Sequence, residues 1–329
     1  MIRTTLRTAL FGLVIALTIA ACDSGPGSSP ATSPTKPPPV EPEPPPRPLN
    51  WADVLNEHQV KEATYAIGVY APGAGLYAIG TGFAAHYVDA IWTNAHVLLA
   101  LLDLMEEYAH VGLQAIAVQS GTETYGDGTY LLVYYYLHPK YDGSTLSPDL
   151  ALITINGEVP AVLDLLPREH ARSLQAGQPI ATTGFPGELQ EAYRNAPIAT
   201  FKEGTISAMR PYTDVAPTPE NTTLLQHNLN LSGGTSGSPI IDQQGYVIAA
   251  NHAGIQSLVY DENTGMIERI GRGNIEFGIR ADEMWGAIDY WFDSSSRQVA
   301  ASTRPVLDSY QAFPENWDGT TVAPSSHTE

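Results

Sequence analysis

Cysteine and basic side chains are scarce in this sequence. Cys22 is the only cysteine in 329 residues, which excludes an internal disulfide and a cysteine-rich metal site. With 16 basic and 35 acidic residues the net charge is −19, and the chain lacks the basic clusters that bind nucleic acid or anionic lipids. The composition therefore predicts no nucleic-acid partner.

Sequence motifs of several enzyme classes are also missing. None of the nine histidines belongs to the HExxH motif of a zinc protease, and neither a GK[ST] phosphate loop nor a GxGxxG turn after a strand is found. The serine of an α/β-hydrolase lies at the centre of GxSxG, an order that the stretch Gly234–Ser238 does not have. The sequence predicts neither a metal ion nor an organic cofactor.

The N-terminus has the features of an export signal. Arg3 and Arg7 precede a stretch of apolar or small residues, 9–19, that is too short for an ordinary transmembrane helix. Small residues follow this stretch, so residues 1–21 are predicted to be a signal peptide.

The end of this signal resembles a bacterial lipobox, Ile-Ala-Ala-Cys at residues 19–22. The resemblance implies that Cys22 becomes the lipidated first residue of an exported protein. Stable anchoring takes more than one acyl chain, and bacterial lipoproteins generally carry at least two. We therefore expect the protein to be held on a bacterial membrane, at its periplasmic face or at the cell surface.

The composition changes twice along the rest of the chain. Residues 22–50 are rich in proline, serine and glycine and have almost no large apolar side chains, which predicts an extended tether. Residues 51–293 have the length of a single all-β domain. The Ser-, Thr- and Pro-rich residues 294–329 predict a mostly disordered tail.

Short β-like segments separated by turns fill the predicted domain. This pattern predicts an all-β barrel or sandwich, with helices only at 97–108 and 280–292 and a short one near the start of 50–62. In the C-terminal helix, Met284, Ala287, Ile288 and Trp291 share one face. The β-like segments are 64–70, 76–86, 90–93, 113–119, 130–137, 150–155, 179–183, 200–208, 223–229, 239–242, 246–251, 256–260 and 275–279.

Three stretches carry residue types that serine hydrolysis requires. Ser236 lies in a run of small residues, 232–238, which on its own reads as a surface turn. His96 follows a predicted strand, and Asp149 stands just before another. Alone, each has an ordinary structural interpretation. Together they supply a hydroxyl, a base for its proton and an acid that orients the base, while small residues let backbone N–H groups approach a substrate.

The same three stretches resemble the conserved blocks of the chymotrypsin-like serine peptidases. T-N-A-H-V matches the histidine block, S-P-D-L-A-L-I the aspartate block and G-T-S-G-S-P the serine block, in the family's order. The resemblance covers about 64–290 and implies an all-β fold of two six-stranded antiparallel barrels with a C-terminal helix. Residues 184–187, 199–207 and 225–229 look most like those of bacterial members without disulfides, glutamyl-endopeptidase-like or HtrA-like.

The resemblance implies a role for each candidate residue. Ser236 would attack the scissile carbonyl, His96 would act as general base and acid, and Asp149 would orient His96. The N–H groups of Gly234 and Ser236 would form the oxyanion hole. The expected activity is that of a serine endopeptidase acting on proteins or peptides. Asp142 is the nearest rival for the acid, and Ser232 and Ser238 are rivals for the nucleophile.

Some positions depart from the family. Thr235 stands where an Asp or Asn is usual, which argues against activation by a freed N-terminus. Counting from the serine block places Asn251, not His252, where glutamate-selective members have a histidine, and a shift of one residue reverses the face of a strand.

The substrate pocket is predicted less sharply than the triad. The same count places Asn230 and Leu231 at the primary specificity pocket, together with Asn251 and His252, without an evident fixed charge. Two alternative functions stay open. One is a catalytically silent, lipid-anchored binding protein on the same fold, and the other is an esterase that uses the same triad.

Overall fold

The computed structural model describes residues 50–71, 73–189, 192–260, 267–292 and 304–305, without the side chains of 253–274 and 304–305. The predicted signal peptide, Cys22, all but the last residue of the tether and all but two residues of the predicted tail lie outside the described residues. Within the described part, no helix is both long and apolar enough to cross a membrane.

Six antiparallel strands form the first barrel. Their order is β5-β4-β1-β2-β3-β6, and pairing of β6 with β5 closes the sheet. The strands are β1 Thr64–Ala71, β2 Gly75–Phe83, β3 Ala90–Thr93, β4 Gln114–Gln119, β5 Thr129–Leu137 and β6 Ala151–Ile155.

Six further antiparallel strands form a second closed barrel, in the order β10-β11-β12-β9-β8-β7. The prediction of two six-stranded barrels is thereby confirmed. A two-residue strand, β13 Arg304–Pro305, pairs with β5 and lies within the predicted tail. The barrel strands are β7 Pro179–Gly184, β8 Thr200–Arg210, β9 Leu224–His227, β10 Pro239–Ile241, β11 Val247–Tyr260 and β12 Ile267–Arg280.

Helices lie between and after the strands. The predicted C-terminal helix is present, and its shared apolar face is buried. Trp291 on this face packs against Trp92 and Tyr136, with ring centroids 5.7 and 5.5 Å apart. The helices are α1 Trp51–Glu57, α2 Ala95–Glu107, α3 Arg168–Ala171 and α4 Ala281–Phe292, with 3₁₀ turns at Ala109–Val111 and Gly187–Leu189.

Each barrel has an apolar interior, and polar side chains connect the two. Tyr65 and Leu98 belong to a buried cluster of the first barrel, and Ile180 and Ile240 belong to one of the second. Between the barrels, Thr64 Oγ1 lies 2.8 Å from Thr183 Oγ1. Because buried hydroxyls need partners, this contact holds β1 of the first barrel against β7 of the second.

Candidate active site

His96 is held at the start of a helix. Asn94 is extended, with φ −80° and ψ 150°, and α2 begins at the next residue, two positions earlier than predicted. His96 therefore lies in the first turn, directly after β3. The Asn94 side chain donates a 2.8 Å hydrogen bond to the carbonyl of Asp149, which ties the segment before His96 to the segment before β6.

Asp149 is 2% exposed and binds His96 twice. Its Oδ1 accepts from the His96 backbone N–H at 2.8 Å, and its Oδ2 lies 2.5 Å from His96 Nδ1. Burial alone would raise the pKa of the Asp149 carboxyl, but hydrogen bonds from His252 and His96 outweigh burial and hold the pKa well below its usual range. The carboxylate is therefore ionised at neutral pH and can stabilise a charged imidazole.

Ser236 lies in a tight loop that packs against the residues before His96. Thr81 on β2 donates its N–H to the Ser236 carbonyl at 2.9 Å. At the next position, Gly237 has φ +83°, and a Cβ atom there would lie 2.5 Å from Thr93 Oγ1 and 3.1 Å from Asn94 N. Only glycine fits this approach. The structure thus brings the loop of Ser236 beside the segment that carries His96.

The N–H groups of Gly234 and Ser236 are not used in hydrogen bonds within the described part of the protein. The Gly233 carbonyl accepts from Gly187 N at 2.7 Å, and the Thr235 carbonyl accepts from the side chains of Asn251 and Ser238. In a trans peptide the following N–H points away from the carbonyl. Among the described residues, the N–H groups of Gly234 and Ser236 have no acceptor. Such unbonded N–H groups can donate to a negatively charged oxygen.

The rival residues have local partners. Asp142 is exposed, and its Oδ1 accepts from Ser144 N at 2.8 Å within a turn. The Ser232 hydroxyl donates to Glu188 Oε2 at 2.9 Å. Ser238 is fully buried, and its hydroxyl donates to the Thr235 carbonyl at 2.6 Å. These contacts give all three residues structural roles in their loops.

Two of the predicted pocket residues are buried on β11. Asn251 donates its side-chain N–H to the Thr235 carbonyl at 3.0 Å, and its backbone carbonyl accepts from Gly237 N at 2.9 Å. Asn251 thus supports the loop of Ser236. The next side chain, His252, lies against Asp149, with its Nδ1 3.0 Å from Oδ2. That contact joins distant segments, and no local sequence pattern signals it.

The other two predicted pocket residues, Asn230 and Leu231, lie beside charged groups. Leu231 N donates to Glu276 Oε1 at 2.5 Å, and Lys202 Nζ donates to the Asn230 carbonyl. Burial raises the pKa of Glu276, and the backbone hydrogen bond from Leu231, the charge of Lys202 and the backbone hydrogen bond from Asn230 offset part of this effect. The sequence indicated no fixed charge at this predicted pocket. Glu276 lies far from Leu231 along the chain and comes beside it because β12 pairs with β9, with Glu276 opposite His227.

Two histidines and an aspartate that lie close together could also bind a metal ion. The ligand atoms of His96, Asp149 and His252 lie within 4.8 Å of one another, and no other such group is found among the described residues. The separations of 2.5 and 3.0 Å from Asp149 Oδ2 to the two imidazoles are, however, those of direct hydrogen bonds. The arrangement is that of a hydrogen-bonded His-Asp-His chain.

Comparison with protein families decides the class of the molecule. Residues 80–249, slightly more than half of the chain, match the model of the trypsin-like peptidase domain. The chain belongs to this family. His96, Asp149 and Ser236 all lie within the matched residues of this trypsin-like peptidase. It is a serine-type peptidase, as the three blocks of the sequence predicted.

Comparison with solved structures gives matches at low sequence identity. Deg5 is 18% identical with a TM-score of 0.47, and the match covers 73% of this chain and 92% of Deg5. The serine endoprotease from Yersinia pestis is 16% identical with a TM-score of 0.47, covering 76% and 69%. The HtrA-type protease AlgW, solved with a tripeptide, is 18% identical with a TM-score of 0.42, covering 73% and 63%. No curated protein sequence matches the chain.

Proposed function

We propose that this trypsin-like peptidase is a serine endopeptidase that cleaves proteins through a triad of His96, Asp149 and Ser236. The proposal rests above all on the buried Asp149, which binds both the backbone N–H and Nδ1 of His96. This pair of bonds sets the orientation and the tautomer of the imidazole, because Nδ1 must donate to the carboxylate. Nε2 is then the nitrogen that can accept a proton.

The geometry supports hydrolysis in two steps. Ser236 Oγ attacks the carbonyl carbon and passes its proton to His96 Nε2, while the N–H groups of Gly234 and Ser236 bind the oxyanion. The C–N bond then breaks, His96 gives the proton to the leaving amine, and Ser236 carries the acyl group. Water, deprotonated by His96, attacks this ester. The bond between the acyl carbon and Ser236 Oγ then breaks, His96 returns the proton to Oγ, and the acid leaves. Asp149 stays ionised throughout and stabilises the imidazolium.

Chemical labelling tests this mechanism. A fluorophosphonate probe should label the full-length chain, and labelling should disappear in Ser236→Ala. Ser238→Ala removes a nearby hydroxyl and should still be labelled. Absence of labelling in the wild type would favour a silent binding protein, and labelling that persists in Ser236→Ala would contradict the assigned nucleophile.

Substrate profiling separates an endopeptidase from an esterase. We expect cleavage within peptides of a proteome-derived library, at bonds away from both ends. Turnover of esters without cleavage of any peptide would contradict the proposal and favour the esterase. We infer that the residue before the cleaved bond docks beside Asn230 and Leu231, so the profile also reports the preference of this pocket.

We further propose that the protein is exported and lipid-anchored through Cys22. The support is the sequence of residues 1–21 and the lipobox-like residues before Cys22. Residues 22–50 would tether a peptidase domain of residues 51–293, followed by a tail of 294–329. In bacterial cells fed an alkyne-labelled fatty acid, the wild type should become labelled and partition with membranes. Equal labelling of Cys22→Ala would contradict the anchor.

A further inference from the structure

Asp149 has a second histidine partner that the proposed mechanism leaves without a role. His252 lies on β11 of the second barrel and is 4% exposed. Its Nδ1 lies 3.0 Å from Asp149 Oδ2, and its Nε2 lies 3.4 Å from the carbonyl of Thr145. Because both nitrogens are directed at acceptors, the position of the proton on this imidazole decides which contact is a hydrogen bond.

The two contacts of His252 are unequal. A bond to an ionised carboxylate at 3.0 Å is shorter and charge-assisted, whereas the contact with the Thr145 carbonyl, at 3.4 Å, is long for a hydrogen bond between N–H and oxygen. The geometry therefore favours the tautomer that carries its proton on Nδ1. In that tautomer His252 donates to Asp149.

The carboxylate of Asp149 is then held by three donors. Its Oδ1 accepts from the His96 backbone, and its Oδ2 accepts from both imidazoles. Two of these donors come from His96 itself, so among the described residues His252 alone holds the carboxylate independently of the base. His252 also comes from the other barrel, and the bond therefore ties the Asp149–His96 pair to the strand beside the loop of Ser236.

The electrostatics of Asp149 agree with this arrangement. Burial of the carboxylate favours its neutral form, and among the groups that oppose burial and lower the pKa of Asp149, the hydrogen bond from His252 is the largest, ahead of that from His96. A carboxylate that lost its charge or turned about its Cα–Cβ bond would no longer orient His96 or stabilise its charged form.

We propose that His252 is a positioning residue of the peptidase, whose Nδ1–H holds Asp149 Oδ2 toward His96. The proposal rests on the function proposed above. His252 touches neither the substrate nor the reacting atoms in this scheme, and it acts only through Asp149.

Paired substitutions test the role. In His252→Asn the amide nitrogen is as many bonds from Cβ as Nδ1 is, so a donor remains near the same place, whereas His252→Leu keeps similar bulk without a donor. We expect His252→Leu to lower kcat for peptide cleavage about 10- to 100-fold, the effect of losing one hydrogen bond to a charged group. KM should change less than about 2-fold, because substrate binding is untouched. His252→Asn should recover most of kcat.

A second buried histidine provides the control. His138 is 3% exposed, and its Nε2 lies 3.4 Å from Glu283 Oε2, so His138→Leu also takes a buried imidazole from a carboxylate. This substitution should lower thermal stability and leave kcat unchanged. If His138→Leu lowers kcat as much as His252→Leu does, or if His252→Asn is as impaired as His252→Leu, the effect is general destabilisation and the proposal is overturned.

Spectroscopy of the wild type tests the hydrogen bond without any variant having to fold. In full-length protein with ¹⁵N-labelled histidine, nitrogen shifts should show Nδ1 of His252 protonated, with its proton displaced downfield by the carboxylate. A proton on Nε2 alone would overturn the proposal. A wild type with normal peptidase activity and a fully active His252→Leu would overturn it too, and the proposed function would stand. A wild type without activity would contradict both.

Discussion

Removing the hydroxyl of Thr81 should weaken the connection between the first barrel and the loop of the nucleophile. Thr81 is fully buried, its Oγ1 donates to the Gly234 carbonyl at 2.8 Å, and the same oxygen accepts from Phe185 N at 3.0 Å. Thr81→Val keeps the shape of the side chain and the backbone bond to Ser236. It leaves one carbonyl and one N–H of the second barrel without their partner.

The size of the effect follows from those two groups. A buried polar group left unpaired costs about 1–3 kcal/mol. Phe185 is buried, so its N–H carries the full penalty, whereas Gly234 is half-buried and water can replace part of its bond. We therefore expect the free energy of unfolding to fall by about 2–4 kcal/mol. Because the Gly234 peptide borders the oxyanion site, labelling by a fluorophosphonate should slow roughly 10- to 100-fold.

Urea unfolding followed by tryptophan fluorescence, together with the labelling rate, measures both effects on the full-length chain. The matched control is Thr81→Ser, which keeps the hydroxyl and loses only a buried methyl group, at about 1 kcal/mol. The reasoning is refuted if Thr81→Val is as stable as Thr81→Ser and is labelled at the same rate, since the hydroxyl would then contribute neither to stability nor to the site.

Two further predictions concern stability. Gly237→Ala places a methyl group against Thr93 and Asn94 at a positive φ. It should therefore lower the free energy of unfolding, measured by thermal unfolding, by more than about 2 kcal/mol. Gly233→Ala, whose Cβ meets nothing within 4 Å, should cost much less, and equal losses would contradict this reading of the loop. Burial lowers the pKa of His227 from 6.5 to about 4, so the unfolded chain binds the proton first as the pH falls between these values. When the pH falls from 7 to 4, the free energy of unfolding measured in urea should fall by about 3 kcal/mol more in the wild type than in His227→Phe. Equal pH dependence of this free energy in the two proteins would contradict a buried neutral His227.

The class of fold and the three candidate catalytic residues could be predicted because their signals are local. Short alternating strands between turns, and a histidine, an aspartate and a serine in recognisable blocks, are each contained within a few consecutive residues. The C-terminal helix could be predicted for the same reason, since its apolar face repeats with the period of a helix. Such features depend on neighbours along the chain, and no long-range contact is needed to state them.

The surroundings of the candidate site could not be predicted from the sequence. Counting along β11 suggested a pocket role for Asn251 and His252, but the register of that strand turns Asn251 to the Ser236 loop and His252 to Asp149. Likewise, Glu276 arrives beside Leu231 through strand pairing, at a place where no charge was expected. A shift of one residue exchanges the two faces of a strand, so only the closed sheet decides where each side chain points.

The sequence by itself therefore determined the types of residue available for catalysis, their order and the β-rich architecture that carries them. Tertiary structure alone decided which of them meet. His252 and Asp149 are 103 residues apart, and Thr81 and Gly234 are 153 apart. Contacts of this kind form only when two barrels close and pack together, because closure sets the direction and depth of every side chain at their junction.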